Sequence, residues 1–540
     1  MGYVHDNSHR QRPNFLRNAV YRTTMSVVAA FAGTLLFTSA VAAEDVDGRA
    51  VLYALEQTIV KAVEGAEESV VSIARGKMNK DLPREHRNFN RFGRGIAPGQ
   101  DPEDVDIHDP DYIPNDFGSG VVLGEITVNG VARTAILTNY HVVKGAETST
   151  GDSPVVSELS VRYSGRQYGQ SATIWAADPR SDLAIITIDA RGLRPIKIAK
   201  SHPFKKGQFV LALGNPLAMA QDGGSASVSW GIISNVGRRA NSQVANPDGT
   251  VPDPLMAGNE RLYHMGGLLQ IDAKLNLGMS GGALLNLDGE LIGITTSLAA
   301  LAGYEKSAGY AIPVDETTQR VIDTLLKGYE VEYGFLGVSF PAAGPMGYSA
   351  VANLRGARIS SVLPNLPASV AGLIDNDTIT EIDGMKVRDR TDVMREIGRR
   401  SPGAEVRLQI VRDGDRRPQY RNVVLGKWPA KNEDEIIAPV KRYGGAWRGL
   451  VVDFASGRSK FFPRDARRIS IPRGVLVTEV LPESPAERAH FKPGDFITRV
   501  DDKDVHSPQE FHRLVDKLPQ SVDLVRIRDD DTQQIAIEPH

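Results

Sequence analysis

The chain has 540 residues, a formal net charge of −3, 41% hydrophobic and 24% charged residues, and no cysteine. This composition suits several ordinary globular domains. It excludes disulfides, thiolate metal sites and cysteine nucleophiles, and it lacks the strongly basic balance of a nucleic-acid binder.

Residues 1–25 are polar and carry Arg10, Arg12, Arg17 and Arg22; Ser26 to Ala43 then run weakly polar to apolar and end Ala40-Val41-Ala42-Ala43 before Glu44-Asp45. A basic start, an apolar stretch and a small-residue end predict a secretory signal peptide over 1–43, cut near residue 42 or 43. If it is not cut, the segment is a membrane anchor. Gly33, Thr34, Thr38 and Ser39 make it less apolar than a good spanning helix of roughly 20 residues. In either case the positive charge ahead of the run leaves the rest outside the cytoplasm. Residues 50–64 (AVLYALEQTIVKAVE) place apolar side chains at helical spacing and predict an amphipathic helix. Residues 75–116 begin basic (Arg84, Arg87, Arg91, Arg94), turn acidic (Asp101, Glu103, Asp104, Asp106, Asp109, Asp111), and are poor in apolar side chains. They read as a long inserted loop, either a functional element or a plain surface excursion.

Three short segments follow in order: Thr138-Asn139-Tyr140-His141-Val142-Val143, Asp178-Pro179-Arg180-Ser181-Asp182-Leu183-Ala184 and Gly278-Met279-Ser280-Gly281-Gly282. A hydroxyl needs a base within hydrogen-bond reach, and the base needs a third group to fix its tautomer. Ser280, His141 and Asp182 supply those chemistries. Any one of these segments alone reads as packing, a turn or a flexible loop. Their order, His then Asp then Ser, is that of the chymotrypsin double β-barrel. Residues 134–137 are strand-like and lead into His141, while 183–188 (LAIITI) is a β-rich run after Asp182. Gly278 lets the chain turn its amides inward, so the N–H groups of Gly278 and Ser280 form a candidate oxyanion hole. Residues 238–266, with Asn246-Pro247-Asp248-Gly249 and Pro252-Asp253-Pro254, read as a surface loop.

The C-terminal third is duplicated. Gly356 to Val387 aligns without gaps on Gly474 to Val505, sharing Leu363-Pro364 with Leu481-Pro482, Pro367-Ala368 with Pro485-Ala486, Asp377 with Asp495 and Asp383 with Asp501. The duplicated unit is about a hundred residues long, which means two domains rather than a solenoid, whose period would be roughly 20–50.

These segments, with SVVSIA at 69–74, GSGVVL at 118–123, LALGNP at 211–216, SVSWGIIS at 227–234 and GYAIPVD at 309–315, resemble the HtrA/DegP serine proteases. The resemblance covers the chain from about Val51 onward. It implies a mainly β fold: a trypsin-like double β-barrel protease domain over 44–328, then two α+β PDZ domains at 329–428 and 446–540, joined by a linker at 429–445. It implies that the helix near 50–64 packs protomers into a homotrimer or a multiple of it, and that the 75–116 loop is regulatory. Thr295, Thr296, Ser297 and Leu298 are expected to pair with substrate backbone and line the pocket. Leu336, Gly337 and Val338 are the expected carboxylate loop of the first PDZ domain. Arg448-Gly449-Leu450-Val451, followed by a basic insertion from Arg458 to Arg473, is the candidate in the second. PDZ domains bind an extended peptide as an extra strand.

Two departures bear on function. Where the family carries a polar side chain before the nucleophile, this chain carries Met279. Lys274, six residues before Ser280, stands where trypsin-like pockets set charge preference. A lysine there invites acidic side chains, but the expected wall, Leu298-Ala299-Ala300-Leu301-Ala302, is apolar, and a lysine stem can carry its charge outward. The expected function is an exported, periplasmic or extracytoplasmic serine endopeptidase of quality control, without metal or cofactor. Its partners would be unfolded proteins and C-terminal peptides, with no nucleic acid. The alternatives are a weakly catalytic or non-catalytic chaperone-like PDZ scaffold, which Met279 motivates, and a signalling protease with one dedicated substrate.

Overall fold

A computed structural model describes residues 48–77, 107–109, 114, 116–144, 157–166, 168–200, 203–215, 225–238, 267–296, 309–341, 355–430, 435–440, 443, 445–458, 471–528 and 531–539. The expected signal segment 1–43, most of the 75–116 loop and the 238–266 loop lie outside these residues. Among the described residues no helix is long and apolar enough to cross a membrane.

Helix α1 (Gly48–Ala66) is the expected amphipathic element and leaves Val51, Leu52 and Tyr53 exposed. Strands β1 (Val70–Lys77), β2 (Asp116–Val128), β3 (Val131–Asn139), β4 (Ser157–Arg162), β5 (Gln170–Asp178) and β6 (Leu183–Ile188) close a barrel in the order β1-β2-β3-β6-β5-β4. β1 and β2 keep the ends of the 75–116 stretch, since Arg75 pairs with Asp116. β6 is buried at every residue. One face fills the barrel, and helix α3 (Glu316–Leu326) lies over β5 and β6, with Trp175 Nε1 donating to Leu326 O at 3.1 Å. Each fully buried Ile or Leu here contributes roughly 1.5–3 kcal/mol.

A second closed barrel holds β7 (Phe209–Gly214), β8 (Ser227–Arg238), β9 (Leu268–Ile271), β10 (Ala283–Leu285), β11 (Leu291–Thr296) and β12 (Gly309–Pro313), in the order β10-β11-β12-β9-β8-β7. Between β3 and β4 lies helix α2 (Tyr140–Lys144).

Two α+β modules follow. The first contains β13 (Gly334–Phe335), β14 (Val338–Ser339), β15 (Ala357–Arg358), β16 (Ser361–Val362), α4 (Pro367–Val370), β17 (Thr378–Ile382), β18 (Met385–Lys386), α5 (Arg390–Gly398), β19 (Glu405–Arg412), β20 (Asp415–Val424) and β21 (Gly426–Lys427). The second contains β22 (Leu450–Phe454), β23 (Val475–Val480), α6 (Pro485–Arg488), β24 (Phe496–Val500), β25 (Lys503–Asp504), α7 (Pro508–Val515), β26 (Val522–Arg528) and β27 (Asp531–Ile537). Proline opens α4, α6 and α7, where its missing N–H costs nothing. In each module the alternating strand is plain: β19 and β26 bury every second residue along most of their length.

The stretch expected as a linker is anchored to the first barrel. Ala177 and Ile437 exchange backbone hydrogen bonds at 2.8 and 3.1 Å, Ile437 packs on the barrel core, and Glu435 pairs with Lys144 of α2 at 2.9 Å.

Candidate active site

Strand register places the first two site residues. β3 and β6 are antiparallel with Asn139 opposite Leu183, so the residues just beyond, Tyr140 and Asp182, face each other. Tyr140 N–H donates to Asp182 O at 2.9 Å, extending the ladder one step. α2 then turns the chain, and His141 comes back over Asp182. The carboxylate takes two bonds from this one residue: His141 N–H to Oδ1 at 3.1 Å and His141 Nδ1 to Oδ2 at 2.7 Å. A carboxylate only accepts, so Nδ1 carries a proton, and in the neutral imidazole Nε2 keeps its lone pair. Asn139 Nδ2 holds Asp182 O at 3.1 Å. Asp182 is 0% exposed and has φ of +56°. The His141 side chain is 20% exposed.

Ser280 comes from the second barrel. Met279 N–H donates to Asn276 O at 3.1 Å, closing a turn whose third residue, Gly278, has φ of +93°. Only glycine sits there without strain. Gly281, at φ +85°, has no room for a side chain: a Cβ would lie 2.2 Å from Ser119 O and 2.4 Å from Thr138 Oγ1. The amides of Gly281 and Gly282 are committed to Thr295 O and Met279 O.

Ser119 of β2 ties the nucleophile loop to the first barrel. Its N–H donates to Ser280 O at 2.8 Å, its Oγ donates to Gly278 O at 2.7 Å, and Asn215 N–H donates to that Oγ at 2.9 Å. Thr138 Oγ1 donates to Ser119 O at 2.7 Å. Neighbouring Gly118 touches both sides: a Cβ there would meet Val142 Cγ1 at 2.5 Å and Ser280 O at 3.0 Å. Val142 follows His141, so the His141 helix and the Ser280 loop meet across Gly118. Ser119 lies in GSGVVL at 118–123 and Asn215 in LALGNP at 211–216; the signal of Ser119's task is a small hydroxyl between two glycines.

Met279 is 1% exposed and belongs to the core of the second barrel with Val210, Ala212, Leu269 and Leu284. Gly214 makes room for it, since a Cβ there would stand 3.0 Å from Met279 Cα. Apolar burial anchors the loop where a polar side chain was expected to do so.

Thr295 does not offer an edge. β11 lies between β10 and β12, Thr295 N–H donates to Gly282 O at 3.0 Å, and Thr295 O accepts from Gly281 N–H at 2.8 Å. Both its backbone groups brace the nucleophile loop. Thr296 is buried and paired with Tyr310. Ser297, Leu298 and the apolar run to Ala302 lie outside the described residues. Lys274 is exposed, and its carbonyl accepts from Ser229 Oγ at 2.7 Å.

In the first module Leu336 O accepts from Ala368 N–H at 2.8 Å and Gly337 O from Leu363 N–H at 3.0 Å, while Val338 pairs with Val362. Gly337 has φ of +77° against Leu366. The second module repeats this with Arg448 O and Gly449 O accepting from Ala486 N–H and Leu481 N–H at 3.1 and 2.9 Å. There the loop also closes on itself. Leu450 and Trp447 exchange both backbone bonds at 2.8 and 3.0 Å, and Trp447 packs edge-on against Phe511 of α7.

A buried ion network joins the modules. Lys427 Nζ lies 2.9 Å from Asp453 Oδ2, 3.1 Å from Glu330 and 3.3 Å from Glu332. Arg458 joins Glu330 and Asp453, each at 2.8 Å. Burial would raise the Glu330 carboxyl, but the charges of Lys427, Arg458 and Arg180 hold it down at about 2.

Residues 118–294 match the trypsin-like peptidase domain family, and residues 334–418 and 476–528 match PDZ domain families. A protein of Halomonas elongata named "Probable periplasmic serine endoprotease DegP-like" is 31% identical over 413 residues, 75% of this chain and 74% of that protein. A protein of Hahella chejuensis with the same name is 29% identical over 386 residues, 71% of this chain and 73% of that one. Among solved structures, "HtrA-type protease AlgW with decapeptide" aligns at 24% identity over 69% of this chain and 99% of that one, with a TM-score of 0.44. On the two-barrel fold, the domain matches and the identity to these curated relatives, this chain belongs to the HtrA/DegP-like family of serine endoproteases.

Proposed function

We propose that His141, Asp182 and Ser280 are the catalytic triad of this endopeptidase. The reading is carried by the two-point hold of Asp182 on His141, which leaves Nε2 ready to accept a proton. Ser280 Oγ attacks the scissile carbonyl while its proton passes to Nε2. Asp182 stabilises the resulting imidazolium. The N–H groups of Gly278 and Ser280 receive the oxyanion. His141 then returns its proton to the leaving amine, and a water activated by Nε2 hydrolyses the acyl-enzyme. The buried Met279 favours this reading over the scaffold alternative, because the substitution that motivated that alternative is accommodated in the core.

The enzyme acts outside the cytoplasm on unfolded chains, assembled as a trimer through α1, whose exposed Val51, Leu52 and Tyr53 suit an interface. A peptide bond reaches Ser280 and His141 only in an extended, accessible stretch of chain, which folded proteins seldom offer. With Lys274 directed to solvent, cleavage is expected mainly after Val, Ile, Ala or Leu. Digestion of one protein in its folded and unfolded states, with mass spectrometry of the new C-termini, tests both points. An excess of Asp and Glu at those termini would make Lys274 the specificity residue, and equal cutting of the folded form would remove the unfolded-substrate reading.

The loop Leu336-Gly337-Val338 captures the carboxylate of a bound peptide through its backbone amides. A peptide with an apolar, free C-terminus is expected to bind the Ser280→Ala chain at least several-fold more tightly than its C-terminal amide, because the charge-assisted bonds are lost. Equal affinities in a fluorescence titration would take the role from this loop.

A further inference from the structure

Asp182 is held in the left-handed region, which side chains other than glycine adopt at a cost and aspartate tolerates better than most. A left-handed backbone at a non-glycine residue costs roughly 1–3 kcal/mol and persists only where its surroundings enforce it. Here the enforcement is concentrated in Asp178, at the end of β5, opposite Leu183 of β6. The carboxylate of Asp178, 0% exposed, closes the turn between them: Oδ2 accepts Ser181 N–H at 2.9 Å and Oδ1 accepts Arg180 Nε at 2.9 Å. Ser181 Oγ adds a bond to Asp178 O at 3.3 Å. The fourth contact comes from far along the chain: the Tyr333 hydroxyl donates to Asp178 Oδ2.

We propose that Asp178 and Tyr333 are positioning residues for catalysis. Together they lock the 178–182 turn so that Asp182 presents its carboxylate to His141. This rests on the triad assigned above. Tyr333 is itself fixed. Its ring is fully buried, the Arg180 guanidinium lies 4.7 Å over its centroid, and Arg180 also donates to Val331 O at 2.6 Å. Arg320 of α3 donates to Glu332 O at 3.0 Å, holding the same segment from the other side. Burial first, and then the charge of Asp178, push the Tyr333 phenol well above its ordinary range, so it stays a neutral donor. Because Tyr333 directly precedes β13, the segment leading into the first PDZ module is part of the support of the triad.

The test uses the full chain with Tyr333→Phe, which keeps the ring and its packing and removes only the O–H, and with Asp178→Asn. The readout is the second-order rate constant for modification of Ser280 by a fluorophosphonate. This constant reports reactivity per competent molecule and does not depend on how much protein is folded. It is expected to fall at least tenfold in Tyr333→Phe, with kcat on a quenched peptide falling in parallel and KM changing less than twofold. The double variant is expected to be no slower than the slower single variant, because both changes act on one turn. A Tyr333→Phe rate within twofold of wild type, with Ser280→Ala inactive, would overturn the positioning role and leave the triad standing. Multiplicative slowing in the double variant would also overturn it, since the two residues would then act separately. Cleavage by Ser280→Ala at the wild-type rate would overturn the triad and this proposal together.

Discussion

Ser280→Ala is expected to abolish cleavage of unfolded protein while leaving the fold in place. The hydroxyl is the only atom lost. The loop that carries it is held by other groups: Ser119 at Ser280 O and Gly278 O, Thr295 at Gly281 and Gly282, and the buried Met279 side chain. None of these depends on Oγ. Loss of the nucleophile from such a triad leaves only oxyanion and binding contributions, a fall of about 10⁴-fold or more in kcat. Gel densitometry of an unfolded substrate measures the loss, and an unchanged circular dichroism spectrum and melting temperature check the fold. Residual activity above a small percentage would point to a different nucleophile.

Lys427→Met is expected to give the largest effect on stability. Lys427 is 2% exposed, with three carboxylates around its ammonium. Burial alone would lower its pKa, and Asp453, Glu330 and Glu332 reverse this and raise it. Methionine fills a similar volume but leaves those carboxylates to Arg458 and to the Tyr443 hydroxyl that donates to Glu332. Removing one partner from a buried ion cluster costs about 3–5 kcal/mol, and the surviving arginine puts the expectation near the lower end. Guanidinium titration followed by tryptophan fluorescence is suited to this, since Trp428 follows Lys427 directly. The network also sets a pH dependence. Glu330 is held at about 2, below its ordinary 4.5. Its folded value is depressed, so its contribution, on the order of 3 kcal/mol, is fully present above about 4.5 and is lost as pH falls toward 2. Acid unfolding of Lys427→Met should therefore begin at higher pH than that of the wild type, and coincident curves would argue against the network.

The sequence made the chemistry of the site legible where one residue's identity carries it. A histidine after a strand, an aspartate before one and a serine among glycines declare themselves; Gly278 is required by its positive φ and Gly281 by the lack of room for a side chain. The duplicated unit was legible because its turn prolines and aspartates repeat in step. The support of the site was not legible, because it acts across long stretches of chain. Ser119 reaches Gly278 over 159 positions, and Tyr333 reaches Asp178 over 155. Neither residue differs in kind from an ordinary surface hydroxyl or core ring. Thr295 shows the opposite failure. The resemblance implied that its backbone pairs with substrate, but the neighbour that claims that backbone, the Ser280 loop, was not readable. The second PDZ loop is obscured because Arg448 stands where the first module has Leu336.

His141 and Asp182 belong to one closed barrel and Ser280 to another, and the N–H and hydroxyl of Ser119 are among the bonds that join them. Each barrel keeps its own apolar interior, so a small rotation of one against the other would leave both interiors closed. It would still pull the attacking oxygen away from its base. Competence therefore depends on how the two barrels are aligned, and not only on whether each is folded.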